Sequence, residues 1–263
     1  MEEIKDQLGN GEFGLKIVRN LGSSTTALFG IFRSKAAERL ELAGTGTMVR
    51  VEGCHGILTA AHVWEKALKD ARQVGISLTE NIDHNCGIDV ATIAPIMIKS
   101  AEWNEHGPDL AFLRIPKERV GAIEAYKVFE NLNRPPKMLG VDGLECWFAI
   151  GTPKELGEFT PVHASVAIRG DIVDPKYVSG EHDYYDFVMD TSLPGAPKSY
   201  GGASGGGLWR IVVYSCPITG KVDWSARLKG VMFWQFPEAD GCRIIRSHGP
   251  NSILAIAKML MGD

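Results

Sequence analysis

The sequence lacks any long apolar run. Nothing in its 263 residues approaches the roughly 18–20 consecutive apolar residues that cross a bilayer as a helix, so no membrane partner is expected. It also lacks a basic excess. Its 28 Lys and Arg stand against 32 Asp and Glu, for a formal net charge of −4, and no Lys/Arg cluster interrupts that balance. The electrostatic footprint of a nucleic-acid binder is therefore missing. The N-terminus, Met1-Glu2-Glu3-Ile4-Lys5-Asp6, starts acidic and has no apolar core, so it does not read as a secretory leader. A chain whose leader had already been removed would read the same way. Cysteine is sparse: Cys54, Cys86, Cys146, Cys216 and Cys242 are odd in number and widely spaced. They read as small buried thiols, not as a disulfide framework, and the expected compartment is the reducing cytoplasm.

What is present is ordinary for a folded chain with a sizeable core: 44% hydrophobic and 23% charged residues. One stretch is not ordinary. In residues 200–209, Tyr-Gly-Gly-Ala-Ser-Gly-Gly-Gly-Leu-Trp, a single serine stands among five glycines, directly before an apolar run. A serine hydroxyl is a weak nucleophile. It needs a base to take its proton and donors to hold the oxyanion that forms when it attacks a carbonyl. Glycine lets backbone N–H groups turn sharply and approach a substrate closely. The N–H groups of Gly202 and Ser204 are the natural oxyanion donors. By itself a Gly-rich turn before a strand is common.

Two more motifs supply the missing partners. His62 sits in Leu58-Thr59-Ala60-Ala61-His62-Val63, and Asp109 in Gly107-Pro108-Asp109-Leu110-Ala111-Phe112-Leu113. The order His62, Asp109, Ser204 differs from that of subtilisin-type enzymes and of α/β-hydrolases. With these three motifs, the chain resembles the trypsin-like (chymotrypsin-fold) serine peptidases. Gly44-Thr45-Gly46-Thr47-Met48-Val49 ahead of the histidine and Gly230-Val231-Met232-Phe233-Trp234 after the serine extend the resemblance from about Thr25 to the C-terminus.

The resemblance implies a catalytic triad: Ser204 attacks, His62 moves the proton, and Asp109 orients and stabilises the imidazole. It implies peptide-bond hydrolysis through an acyl-enzyme, a protein or peptide substrate, and no metal or organic cofactor. Phe233, Trp234 and Gln235 match the edge segment that receives substrate backbone by β-addition. Lys198, six residues before Ser204, falls near the base of the primary specificity pocket, where it would favour an acidic side chain. The alternative is that Lys198 points to solvent. Arg243 would add to the same preference.

Three positions depart from the family pattern. Ala203 stands where secreted relatives have an aspartate that pairs with a new N-terminus after zymogen cleavage. Phe233 stands where relatives have a serine bonded to the catalytic aspartate. Gln235 replaces a common glycine and would narrow the non-primed side. Ala203 and the N-terminal arm together suggest activity controlled by a regulatory protein partner. The main competing class is a catalytically silent protease-fold module that binds peptides; the same triad could also cleave esters.

The fold expected is all-β: two six-stranded antiparallel β-barrels with the active site between them and a C-terminal helix. Short β-rich runs broken by Gly, Pro, Asn and Asp support it. Residues 1–24 read as an N-terminal arm, 25–125 as the first barrel, 126–142 as a linker, and 143–263 as the second barrel with a helix from Pro250. Residues 34–42 read as a loop or short helical turn, and 63–72 as a short helix. Cys54-His55 with His84-Asn85-Cys86 lacks the paired spacing of zinc modules, and Glu181-His182-Asp183 with Asp186 reads as an exposed acidic loop. The nucleophile elbow of esterases also fits Gly202–Gly206, but it needs a helix after the serine, and the following run is strand-like.

Overall fold

The computed structural model describes residues 11–33, 38–79, 84–133, 143–157, 166–179, 182–192, 196–216 and 219–262. The chain is mostly β, with two sheets and a C-terminal helix. The first sheet comprises β1 (Thr25–Arg33), β2 (Glu38–Val51), β3 (Cys54–Thr59), β4 (Gln73–Ser77), β5 (Asn85–Asp89), β6 (Pro95–Lys99), β7 (Asp109–Arg114) and β8 (Glu130–Asn131). The second comprises β9 (Gly143–Gly151), β10 (Val166–Ser179), β11 (His182–Asp190), β12 (Gly207–Ser215), β13 (Val222–Gln235) and β14 (Cys242–His248).

The second sheet is a closed ring of six antiparallel strands, in the order β10-β11-β14-β13-β12-β9. The first differs from the expected six-stranded barrel. Its path runs β5-β4-β1-β2-β3-β7-β6, with β8 added parallel to β2, and β5 and β6 do not pair with each other. Within the expected linker, Glu130 and Asn131 form β8 on the first sheet, and residues 134–142 lie outside those described.

The residues 38–42, expected as loop or helix, extend β2 and pair with the end of β1, Arg33 opposite Glu38. A tight turn joins β2 to β3. Glu52 (φ 46°) and Gly53 (φ 76°) both take positive φ, as the two-residue turn that matches strand twist requires. His62 lies within a short helix, α2 (Ala61–Val63), continued by a π-helical turn over Trp64–Leu68.

Helix α1 (Gly11–Gly22), the visible part of the expected arm, is no loose appendage. Its Ile17 and Leu21 are buried against Cys146, Ile150, Trp209 and Ile211 of the second ring. Two further helices are α3 (Lys117–Glu124) and α4 (Lys154–Gly157). Helix α5 (Pro250–Met261) closes the chain. Its N-terminal N–H groups are satisfied from β11: Asp183 Oδ1 accepts from Ser252 N–H (2.9 Å) and Oδ2 from Asn251 N–H (3.1 Å). A carboxylate there also suits the positive end of the helix.

Strand β7 carries Asp109 to the junction of the halves. Its side chains alternate, as a strand's must. Ala111 and Leu113 enter the core of the first sheet. Leu110 and Phe112 turn the other way, onto Val231, Ile253 and Ile256. Phe112 fits because its neighbour Gly56 has no Cβ, which would stand 2.1 Å from the ring. The halves thus share apolar clusters, and burying each such side chain stabilises by roughly 1.5–3 kcal/mol.

Candidate active site

A cleft of about 500 Å³ opens between the two sheets, and His62 and Ser204 both line it. His62 comes from the turn after β3 and Asp109 from the first residue of β7, two adjacent strands of the first sheet. Asp109 is only 4% exposed and grips the histidine twice. Its Oδ1 accepts the His62 backbone N–H at 2.8 Å, and its Oδ2 meets Nδ1 at 2.5 Å. An ionised carboxylate only accepts, so Nδ1 carries the proton and Nε2 keeps a free lone pair. Ser204 is half-buried on the loop before β12, without a direct hydrogen bond to His62 in this state.

The loop around Ser204 is held by bonds from three directions. The Gly201 carbonyl accepts from Lys154 N–H (2.7 Å), and the Ala203 carbonyl from Gly206 N–H (2.9 Å). A planar trans peptide points its C=O and N–H oppositely. Those two bonds therefore turn the N–H groups of Gly202 and Ser204 the other way. Neither has a partner among the described residues, whereas Ala203 N–H bonds the Tyr200 carbonyl. The Ser204 carbonyl accepts from Thr45 N–H at 2.9 Å, and Gly205 N–H donates to Met232 O at 2.7 Å.

Thr45, fully buried on β2, links the two sheets at this loop. Its Oγ1 donates to the Gly202 carbonyl (2.8 Å) and accepts from Thr152 N–H (2.8 Å). Thr47 Oγ1 donates to the Gly205 carbonyl (3.1 Å), and Thr59 Oγ1 to that of Thr45 (2.8 Å). Gly205 is required by this crowding. Its φ is +92°, and a Cβ there would lie 2.0 Å from the Thr45 carbonyl oxygen. Ala203, where the expected family pattern has aspartate, is buried at 3% exposure against Gly151 and Met232. The loop is shaped by threonine hydroxyls and packing, with no carboxylate at that position.

Two residues around the Asp109 pair escaped sequence reasoning. His248, at the end of β14, is fully buried, and its Nε2 accepts the Asp109 backbone N–H at 2.9 Å. Phe233 stacks on it with ring centroids 4.4 Å apart, so the aromatic residue that cannot bond the carboxylate instead holds the histidine that binds the Asp109 backbone. Burial lowers the pKa of His248 to about 3, keeping it neutral. Trp103 covers His62, with centroids 4.8 Å apart, and meets Trp234 edge-on at 4.8 Å. The Lys66 ammonium lies 4.0 Å from the Trp103 ring centre. Trp103 could be noticed only as an aromatic in a polar loop before Asp109; His248 has no local signal.

The remaining predicted residues divide. Phe233, Trp234 and Gln235 line the cleft. Lys198 is exposed and lies outside its lining, which corrects its placement at a pocket base. Arg243 is buried and pairs with Glu238 at 3.1 Å. Burial pushes the Tyr200 phenol up to about 12, so that ring is a neutral wall.

Of the acidic residues weighed for a cation, Glu181 lies outside those described, and Asp183 and Asp186 have other partners. Asp183 caps α5, and Asp186 accepts two bonds from Arg246, each 2.7 Å. Arg246 also donates to the Glu105 carbonyl at 2.8 Å, fixing the loop that leads to Asp109. Among the described residues no group of three or more His, Cys, Asp or Glu is placed to hold a metal. Among the described residues no disulfide joins the five cysteines, and no helix is long and apolar enough to cross a membrane.

Chemically, the cleft offers a serine hydroxyl, an imidazole with a free lone pair whose other nitrogen is held by a carboxylate, and two unengaged N–H groups on the serine's own loop. No family model matches the chain, and no curated protein matches it in sequence.

Proposed function

We propose that the chain is a serine endopeptidase of the chymotrypsin type, with His62, Asp109 and Ser204 as its triad. The observation that carries this reading is the meeting, in one cleft, of an Asp109-bound His62 and a Ser204 loop whose Gly202 and Ser204 N–H groups are left unengaged. Ser204 Oγ attacks the scissile carbonyl while His62 Nε2 takes its proton. The carbonyl oxygen becomes an oxyanion between the two N–H groups. His62 then protonates the leaving amine, and a water molecule repeats the sequence to release the acyl group. The missing Ser204–His62 bond is ordinary for a site without substrate.

Substrate backbone adds to the free edge of β13. The pairing of β13 with β12 ends at Val231 and Gly207, so beyond it residues 233–235 offer an edge toward the cleft. Cysteines without disulfides suit a reducing compartment, and on this reading the enzyme belongs in the cytoplasm. Because threonines already hold the Ser204 loop, the oxyanion site needs no partner to form. A regulatory protein would act on access instead.

The test is labelling with a fluorophosphonate probe. The parent should label, and Ser204→Ala should not. A parent that stays unlabelled, alone and with cell extract added, would favour the second reading, a peptide-binding module with the fold but no turnover.

A further inference from the structure

The path of the first sheet ends at β6, which pairs on one side only, with β7. One bond tells which of its backbone groups that pairing uses. Ser100 N–H donates to the Pro108 carbonyl at 2.8 Å, so Ser100 and Pro108 form a hydrogen-bonded pair. Hydrogen-bonded and non-hydrogen-bonded pairs alternate along an antiparallel ladder. Ile98 opposite Leu110 and Ile96 opposite Phe112 are therefore bonded pairs too. Met97 and Lys99 fall between them, and their N–H and C=O groups point away from β7. None of these four groups has a partner among the described residues. The same alternation turns Asp109 N–H away from β6, where His248 meets it.

A bare strand edge is normally covered or blunted. Beside this one runs a groove of about 780 Å³. Met97, Ile98 and Lys99 form one side of it, and Asn251, Leu254 and Lys258 of α5 the other. Their spacing of three and four places the helix residues on one face. Ile96 and Ile98 turn toward α5 and pack in one cluster with Ile253 and Ile256. A strand added to the edge would send every second side chain to that same face. There it would meet Leu254 and Met259, which are 51% and 48% exposed. The rim is basic, and no Asp or Glu lines the groove. Lys99 is matched by Glu65, whereas Lys258 has no counter-ion among the described residues.

We propose that this groove is a docking site for an extended segment of a partner protein, with apolar side chains at alternate positions and acidic residues among them. Only a polypeptide backbone offers donors and acceptors at the spacing that Met97 and Lys99 present, so the edge selects a strand over a lipid or a small molecule. The apolar helix face and Lys258 select its side chains. A second copy of this chain is a poorer match, because two-fold pairing of β6 with β6 sets the same basic rim against itself. The position suits control of the cleft. Lys99 stands opposite Asp109 in the ladder, and from Lys99 the chain runs into the loop that lays Trp103 on His62. Nothing in this site depends on turnover at Ser204.

The probe is a fluorescein-labelled octapeptide of alternating Val and Glu, titrated with the full chain and read by anisotropy. It should bind with a Kd below about 1 mM, and an octapeptide of alternating Val and Lys should bind at least about tenfold more weakly. No binding at that concentration overturns the site, and equal or better binding of the Lys peptide overturns its acidic selection. Two N-methylated forms of the Val/Glu peptide decide the mode, one methylated on the Val nitrogens and the other on the Glu nitrogens. Only one of these sets can face β6, whichever direction the strand runs. One form should therefore bind like the unmethylated peptide and the other about tenfold more weakly or worse. Equal binding of the two forms overturns the strand pairing. On the protein side, Lys99→Pro deletes one outward N–H and leaves the bonds to β7 in place, a substitution that edge strands accept. It should weaken the peptide by about tenfold, whereas Lys99→Ala, which keeps the N–H, should not. Sedimentation tests the remaining occupant. A chain that dimerises, and that the peptide splits into monomers, would show that the edge serves a second copy and would overturn the partner assignment.

Discussion

His248 Nε2 accepts the backbone N–H of Asp109 at 2.9 Å, across 139 residues of sequence and from the opposite half of the molecule. The bond makes the acid of the proposed triad a shared product of both sheets. The carboxylate faces His62 on its own sheet, and the backbone behind it is anchored to the second ring. His248→Phe should keep the ring volume and remove the acceptor. With the Asp109 N–H left unsatisfied in the interior, urea unfolding should show a loss of about 1–3 kcal/mol. The kcat should fall with it. His248→Gln places an oxygen near the site of Nε2 and should recover part of both. Equal damage in the two variants would show that ring packing, not the bond, is what matters.

The same histidine sets a pH dependence of stability. Its folded pKa is about 3, because burial desolvates the ring. Asp109 favours the charged form, but burial, with His182 acting the same way, outweighs it. Unfolded, the ring titrates near about 6.5. Between these values the unfolded chain binds a proton that the folded chain refuses, so stability falls as pH drops from about 6.5 toward 3, by up to about 1.4 kcal/mol per pH unit. Above about 6.5 this contribution is constant. Urea midpoints at pH 7.5, 5.5 and 4.5 should decline in the parent and decline less in His248→Gln. Parallel declines would remove His248 as the source.

Much of this was legible in the sequence because the chemistry needs local motifs. Ser204 announces itself through Gly202 and Gly205, whose positive φ values exclude other residues. His62 and Asp109 lie at the ends of apolar strands that pattern clearly. The misses have physical reasons. The start of β2 is exposed on both faces, so it carries no apolar alternation and reads as loop. The first sheet's eight strands could not be counted because β8 is only two residues long. Lys198 was placed by counting six residues back from Ser204 through Gly202 and Gly201, where residue number says little about direction. His248 acts over a distance that no periodicity encodes.

Thr45→Val tests how the nucleophile loop is held. The shapes are nearly equal, so packing survives, but Oγ1 loses its bond to the Gly202 carbonyl and its bond from Thr152 N–H. The Gly202–Ala203 peptide, which links the two donor residues, is then freer to move, and the Gly202 and Ser204 N–H groups hold the oxyanion position for less of the time. Turnover should fall by about 10- to 100-fold, a range set by what one oxyanion donor contributes. The KM should change little, since the lost interaction belongs to the transition state. A rise in KM at constant kcat would place Thr45 in substrate binding instead.

Ala203→Asp asks whether this position tolerates the aspartate that the resemblance to trypsin-like peptidases leads one to expect there. The site is buried and pressed against Gly151 and Met232, so an added carboxylate would be desolvated without a partner. Destabilisation of about 3 kcal/mol or more is expected, read as a lower urea midpoint. A folded, fully active variant would mean that the loop has a cationic partner within reach.

Trp103→Ala separates a role in stability from a role in the cleft. The ring is 47% exposed, so removing it uncovers little core and should cost less than about 1 kcal/mol. Yet it lies on His62 and meets Trp234, at the edge where substrate backbone would add. Without it the imidazole is open to water on that face, and substrate loses an apolar surface beside the base. The kcat/KM on peptides should drop by about tenfold while fluorophosphonate labelling of Ser204, which needs little of the cleft, changes much less. A matching loss in labelling would instead show that Trp103 acts by holding the His62 ring in place.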